Sequence, residues 1–164
     1  MELTELLEKY DQGWVEAQYQ DTGFFVKVRP MCQALQDEIA PKVKSLQFDK
    51  SSHKKIEVLD DDKFNKVFSK VAIVDWRGLT VSLVSKLIPS LKISAEVDQL
   101  KEIPCTPDSK HLLVVRSAAF QKFVRDVALD AGSVLAEAEE AEAKNSSTSH
   151  GGEEAEHPSP APNV

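Results

Sequence analysis

The 164-residue chain has few of the features that mark an enzyme, a metalloprotein or a secreted protein. It has two cysteines, Cys32 and Cys105, which lie far apart and form no CxxC pair. We therefore expect two free, buried thiols in a reducing compartment, with a disulfide between them as the alternative. The N-terminus has no basic stretch followed by an apolar run, so no secretory signal is predicted. No apolar run approaches the ~20 residues that cross a bilayer. These absences indicate a soluble, cytoplasmic protein with no membrane partner.

Motifs typical of catalysis are also missing. The sequence contains no GxGxxG, GxxxxGK[ST], GxSxG or HExxH. None of the four histidines has a second ligand at a spacing typical of a metal site. The run of Asp60, Asp61 and Asp62 lacks the pattern of an EF-hand loop and fits a helix N-terminus instead. Cys105 and His111 are close in sequence, but a nucleophile and its base are defined by geometry, not by sequence distance. We expect no enzyme activity, no metal site and no cofactor.

The net charge of −7 is concentrated near the C-terminus. Residues 137–164 contain seven acidic residues and one basic residue, whereas the rest of the chain contains 20 acidic and 19 basic residues. A nucleic-acid binder usually carries a basic stripe that displaces counterions from phosphates, so nucleic acid is a poor candidate partner. Residues 145–164 are rich in Ser, Gly, Glu and Pro and cannot bury a core, so we expect them to be disordered.

The N-terminal part predicts a short helix over residues 3–10, ended by Gly13, and then a β-hairpin over residues 14–29. A lone two-stranded hairpin is only marginally stable in water, so this one must pack on the body or pair across a subunit boundary. Adjacent residues on a strand point to opposite faces, so Phe24 and Phe25 cannot both face one core. Trp14, Phe24 and Phe25 are therefore candidate interaction residues.

Residues 30–135 are predicted to be mainly helical. Apolar spacing predicts a helix over residues 31–46, interrupted at Pro41, and an exposed loop over residues 49–55. A helix capped by Asp60 is expected to run through Val74 and to close at residues 76–78, with Gly78 in the left-handed conformation. For residues 79–103, short helix and irregular structure remain open alternatives.

Two further helices have strong start signals. Thr106 and Pro107 provide an N-cap followed by a proline at the first helical position. Ser117 is the second cap, before an apolar face that runs from Phe120 to Leu135. Trp76, Gly78, Phe120 and Phe123 are the candidate structural anchors. The predicted fold class is α+β, with a mostly helical body over residues 1–136, and an Ala/Glu-rich helix extension and acidic tail over residues 137–164.

The ordered set of segments resembles the tail assembly chaperones of long-tailed, siphovirus-type bacteriophages. The resemblance rests on four blocks. The first is residues 71–79, a helix that ends in Trp76-Arg77-Gly78-Leu79, and the second is residues 102–108, a turn into a capped helix. The third is residues 116–128, with a serine, spaced aromatics and a V-x-V-A-like stretch, and the fourth is residues 25–29, Phe-Val-Lys-Val-Arg.

The resemblance implies a protein that binds and solubilises the tape-measure protein, helps to recruit tail-tube subunits, forms a homo-oligomer, and stays in the host cytoplasm, absent from the mature virion. Two alternatives remain: a structural minor tail or head–tail joining protein, and a small acidic regulatory or inhibitor protein.

Overall fold

The computed structural model describes residues 13–147, and the side chains of residues 13–144. Both helices and strands are present, so the predicted α+β class is confirmed. In chain order the elements are β1 (Val15–Gln18), β2 (Phe25–Val28), α1 (Gln33–Val43), β3 (Lys44–Asp49), β4 (Lys54–Leu59), α2 (Asp61–Ala72), β5 (Ile73–Arg77), α3 (Val81–Leu87), α4 (Pro107–Arg116) and α5 (Ala118–Ser147). The predicted helix over residues 3–10 lies outside the described residues.

The predicted N-terminal hairpin is present as β1 and β2, and β5 joins it to make an antiparallel sheet of order β1-β2-β5. Val15 lies opposite Val28 in the first pair, and Val26 lies opposite Trp76 in the second. Phe24, Val26 and Val28 are fully buried on the face that meets the helices. The third strand and this covered face give the hairpin the support that a lone one lacks.

The prediction for the end of α2 is wrong. The helix starts as expected, because the Asp60 carboxylate accepts the backbone N–H of Lys63. It ends at Ala72, and the next residues form β5, in which Ile73 and Trp76 are buried and Val74 is exposed. The β-branched residues Ile73 and Val74 can extend a helical pattern or begin a strand. Pairing with β2 stabilises the strand.

Gly78 has the predicted left-handed backbone, with φ of +75°, but it follows a strand. A Cβ placed there would collide with the carbonyl oxygen of Gly23 in the β1–β2 turn. A glycine is therefore needed both for the backbone conformation and for the close approach of β5 to the first hairpin.

The prediction for residues 44–59 is also wrong. The helix α1 ends at Val43, with Pro41 in its last turn, and β3 and β4 form a second hairpin. Leu46, which was expected on the buried face of a helix, lies on β3. Of the predicted loop over residues 49–55, only residues 50–53 form the turn, and the others belong to β3 and β4. The Asp60 N–H donates to the Val43 carbonyl at 2.9 Å and closes the base of this hairpin.

The start signals of the last two helices are confirmed. The Thr106 hydroxyl accepts the N–H of Ser109, and the Ser117 hydroxyl accepts the N–H of Phe120 at 3.3 Å. Between α2 and α4, residues 81–87 form one short helix capped by Thr80, and residues 88–106 are irregular apart from a bridge between Thr80 and Glu102. Both open alternatives for residues 79–103 therefore apply, to different parts of the segment.

The long helix α5 packs against α4 and β2. Gly132, which weakens a helix by about 1 kcal/mol relative to alanine, faces the Met31 backbone so closely that a Cβ would collide with the Met31 carbonyl oxygen. The helix continues to Ser147, three residues into the segment expected to be disordered. The rest of that segment, residues 148–164, lies outside the described residues.

Candidate functional site

Three of the four segments that carry the family resemblance contribute to one aromatic cluster in the core. Phe24 stacks on Phe120 with ring centroids 5.7 Å apart, and Trp76 meets Phe24 edge-on at 6.0 Å. The Trp76 indole N–H donates to the Ile103 carbonyl at 2.9 Å. Phe123 meets Tyr19 edge-on at 5.1 Å. The structure therefore places Trp76, Phe120 and Phe123 in packing positions.

Phe24 cannot serve as an interaction residue in this fold, which corrects part of the predicted set. Its side chain is fully buried against Trp76 and Phe120. Phe25, on the opposite face of the sheet, is half-buried, and so is Trp14. Only Trp14 and Phe25 of the three candidates remain accessible to a partner.

The outer face of the β1-β2-β5 sheet is covered by its own charged side chains. The Arg77 guanidinium lies 4.0 Å from the centre of the Phe25 ring, and the Lys27 ammonium lies 4.5 Å from the centre of the Trp14 ring. Arg77 also forms an ion pair of 2.6 Å with Glu16. Cations over aromatic faces are attracted by the ring quadrupole, so each aromatic ring already has an intramolecular partner.

The largest apolar exposure on strands lies on the β3–β4 hairpin. Leu46, Phe48 and Leu59 are 67%, 61% and 59% exposed. The strand register pairs Leu46 with Glu57, Phe48 with Lys55 and Leu59 with Lys44, so all three apolar side chains lie on one face. The hairpin forms a two-stranded sheet of its own. Such a hairpin is marginal unless something covers it.

The turn of this hairpin is organised by Asp49. Its carboxylate accepts the backbone N–H groups of Ser51 and Ser52, both at 3.1 Å, and both serine hydroxyls. The Ser52 hydroxyl bond is the strongest of the interactions that lower the pKa of Asp49 from 3.8 to about 2. The exposed hairpin therefore ends in a turn that is held by its own hydrogen bonds.

A second apolar surface lies between α3 and α4. A groove of about 290 Å³ separates the two helices there. It is lined by Val84, Ile88, Ser90, Leu91, Leu112 and Arg116. Leu112 is 53% exposed at its edge. Sequence reasoning missed this groove because the segment before α4 had no assigned structure; the apolar run from Leu83 to Leu91 is the signal that could have indicated it.

The two cysteines supply the thiol groups of the described chain. Cys32 and Cys105 are both free and only half-buried, not fully buried as expected. Burial raises the pKa of the Cys105 thiol to about 11, which leaves it protonated and weakly nucleophilic at neutral pH. Within residues 13–147, three or more histidine, cysteine or acidic side chains nowhere gather as they would around a metal ion. The described helices include none long and apolar enough to span a bilayer.

Comparison with known proteins gives no relative: the chain matches no family model, no curated protein and no solved structure.

Proposed function

We propose that this chain acts by reversible protein contact, as a tail assembly chaperone of a long-tailed bacteriophage. Its client would be the tape-measure protein, a long helical protein with apolar stretches that aggregate before the tail tube encloses them. The observation that carries the proposal is the pair of exposed apolar surfaces, on the β3–β4 hairpin and in the α3–α4 groove, on a body whose described polar groups do not converge. Contiguous exposed apolar surface rimmed by polar side chains is typical of protein interaction sites.

The α3–α4 groove is the surface that best fits a helical client. It is open, and four of its six lining residues are apolar, the other two being Ser90 and Arg116. An amphipathic helix binds such a groove by laying its apolar side chains along it. Leu112 stands at the edge, where it would lose its solvent exposure on binding. Many modest contacts of this kind, repeated over several copies, hold a client and still allow its release.

The identity of the client rests on the family resemblance alone. The packing cluster brings three of the resembling blocks together in the core. Trp76, Ile103 and Phe120 come from three of the resembling blocks and meet in the core. The block with Trp76 forms a strand, not the end of a helix as the resemblance implied. Recruitment of tail-tube subunits and absence from the virion are parts of the same proposal.

Co-expression tests the proposal directly. The chain is produced together with the proposed client, a tape-measure protein, and the soluble fraction of that protein is measured. We expect the native chain to keep the client soluble and Leu112→Glu to return it to the pellet. Leu129→Glu is the matched control, because Leu129 on α5 is also a leucine that is 53% exposed but lies outside the groove. A client that stays insoluble with the native chain, or equal effects of both variants, would contradict the proposal.

Purified virions separate the chaperone from a structural minor tail or head–tail joining protein. Mass spectrometry should find no peptide of this chain in virions that contain the tape-measure protein. A stoichiometric amount would assign the chain to the virion instead. Deletion of residues 137–164, which contain the seven acidic residues of the tail, tests the acidic inhibitor alternative. The chaperone proposal expects client binding to survive this deletion, and the inhibitor alternative expects activity to be lost.

A further inference from the structure

We infer that two copies of this chain pair through the outer edge of β4, so that their β3–β4 hairpins form one four-stranded antiparallel sheet. This inference does not depend on the proposed function. It starts from the lack of a further strand beside the hairpin in the described chain, which leaves both of its edges open. Open edges with unpaired N–H and C=O groups readily pair with another chain.

The backbone pattern shows which β4 residues face outward. The Asp60 N–H donates to the Val43 carbonyl, which makes Val43 and Asp60 a hydrogen-bonded pair at the base of the hairpin. Hydrogen-bonded and non-hydrogen-bonded pairs alternate along an antiparallel ladder. In the observed register, Val58 and Ile56 therefore bond inward to β3, and the N–H and C=O groups of Lys55 and Glu57 point to the free edge.

The side chains select one register for two β4 strands related by a two-fold axis. Pairing with Ile56 on the axis places Lys55 of each copy opposite Glu57 of the other, giving two unlike-charge pairs. Shifting one strand by two residues in either direction places Glu57 opposite Glu57, or Lys55 opposite Lys55. Unlike charges directly opposite stabilise a strand pair and like charges destabilise it. The edge is therefore complementary to itself, as a two-fold interface requires.

In a single copy the charged groups of Lys55 and Glu57 are available to pair with a second copy. Among the described residues, Lys55 has no hydrogen bond or ion pair, and Glu57 holds Lys44 through one oxygen only, at 3.1 Å. A lone lysine on an edge strand normally discourages pairing, but here the second copy supplies a carboxylate in register. The combined sheet would also align the faces that carry Leu46 and Phe48 of both copies into one broader apolar surface.

Charge reversal tests the register. The molar mass of the native chain, measured by light scattering over a range of concentrations, should rise to that of a dimer. Lys55→Glu and Glu57→Lys each replace two unlike pairs with two like pairs, and should raise the dimer dissociation constant about tenfold or more. The double variant K55E/E57K should restore dimerisation. Lys50→Glu makes the same charge change in the turn, outside the paired segment, and should dimerise like the native chain.

Cross-linking provides an independent readout that needs no charged substitution. In the pairing register Ile56 faces its own copy as a non-hydrogen-bonded pair, with Cα atoms ~4.5 Å apart, within disulfide range. In a background of Cys32→Ser and Cys105→Ser, Ile56→Cys should give a covalent dimer on a non-reducing gel. Residue 58 faces Lys54 of the other copy, so Val58→Cys in the same background should give little covalent dimer.

A native chain that stays monomeric at all concentrations would overturn the inference. So would single charge variants that dimerise normally, a double variant that fails to recover, or equal cross-linking at residues 56 and 58. If the client, and not a second copy, covers this edge, the native chain is monomeric alone and Lys55→Glu weakens client solubility instead.

Discussion

Within residues 13–147 the molecule contains two β-hairpins with different surroundings. The first, β1–β2, gains a third strand and buries Phe24 completely, whereas the second, β3–β4, gains none and leaves Phe48 61% exposed. Both are short, antiparallel and contain aromatic side chains. The difference lies in their neighbouring strands. β5 pairs with β2, and Gly78 after it packs against the β1–β2 turn, whereas no described strand pairs with the outer edge of β3 or β4. The first hairpin builds the core, and we assign protein contact to the second.

The sharpest test of this difference compares one residue type in the two hairpins. Phe24→Ala removes a fully buried ring that touches Trp76 and Phe120, so we expect a loss of about 3–5 kcal/mol in the free energy of unfolding. Phe48→Ala, at an exposed position, should change it by less than ~0.5 kcal/mol. Urea unfolding monitored by circular dichroism measures both. Equal losses would mean that the two hairpins do not differ in burial.

The Cys105 thiol reports whether the three-stranded sheet stays closed, since it lies beside Asp75 and Trp76 of β5. Burial raises its pKa from 9.0 to about 11, so the thiolate fraction at pH 8 falls roughly 100-fold. In a Cys32→Ser background, iodoacetamide should therefore react far more slowly with the folded chain than with the chain in urea. Similar rates in both conditions would show that β5 opens readily.

Substitution of Gly78 tests whether its close approach to the β1–β2 turn stabilises the three-stranded sheet. Gly78→Ala places a Cβ against the Gly23 carbonyl oxygen and forces a non-glycine residue to a φ of +75°. We expect a loss of more than about 1 kcal/mol in stability. Gly23→Ala is the control, because its Cβ would have open space and should cost less. The same shift of the urea midpoint in both variants would show that the close approach at Gly78 does not matter.

The smallest effect concerns the turn of the second hairpin. Serine hydroxyl and backbone N–H groups lower the pKa of Asp49 to about 2 from 3.8. A lowered carboxyl pKa contributes stability that is complete above about pH 4 and is lost as the pH falls through 2. The carboxyl carbon shift of Asp49 should titrate near pH 2, together with the amide shifts of Ser51 and Ser52. A titration at the ordinary value would contradict an ordered turn.

The sequence predicted those parts of the fold that local chemistry determines. The caps at Asp60, Thr106 and Ser117 require only a side chain and the next turn of backbone, and all three are confirmed. The β1–β2 hairpin was predicted from two β-rich runs and a turn with Asp21 and Gly23. Strand alternation alone predicted that Phe24 and Phe25 lie on opposite faces.

The parts that depend on distant contacts could not be predicted in this way. The apolar spacing of Ile39, Val43 and Leu46 fits a helix, yet the chain leaves α1 after Val43 and pairs with β4. Ile73 and Val74 continue the α2 pattern until pairing with β2 makes them a strand. The tight approach of Gly132 to Met31 and the α3–α4 groove both need the tertiary arrangement. Sequence alone therefore did not show that Phe24, and not Phe25, faces the core.

Residue-specific amide hydrogen exchange at increasing protein concentration tests the division between the two hairpins most directly. We expect the buried amides of β1 and β2 to exchange slowly at every concentration, since their opening requires unfolding of the core. The outward amides of Lys55 and Glu57 should exchange rapidly in dilute protein and become protected as copies pair. Protection of these two amides at the lowest concentration, or rapid exchange throughout β1 and β2, would contradict the assignment of core to one hairpin and contact to the other.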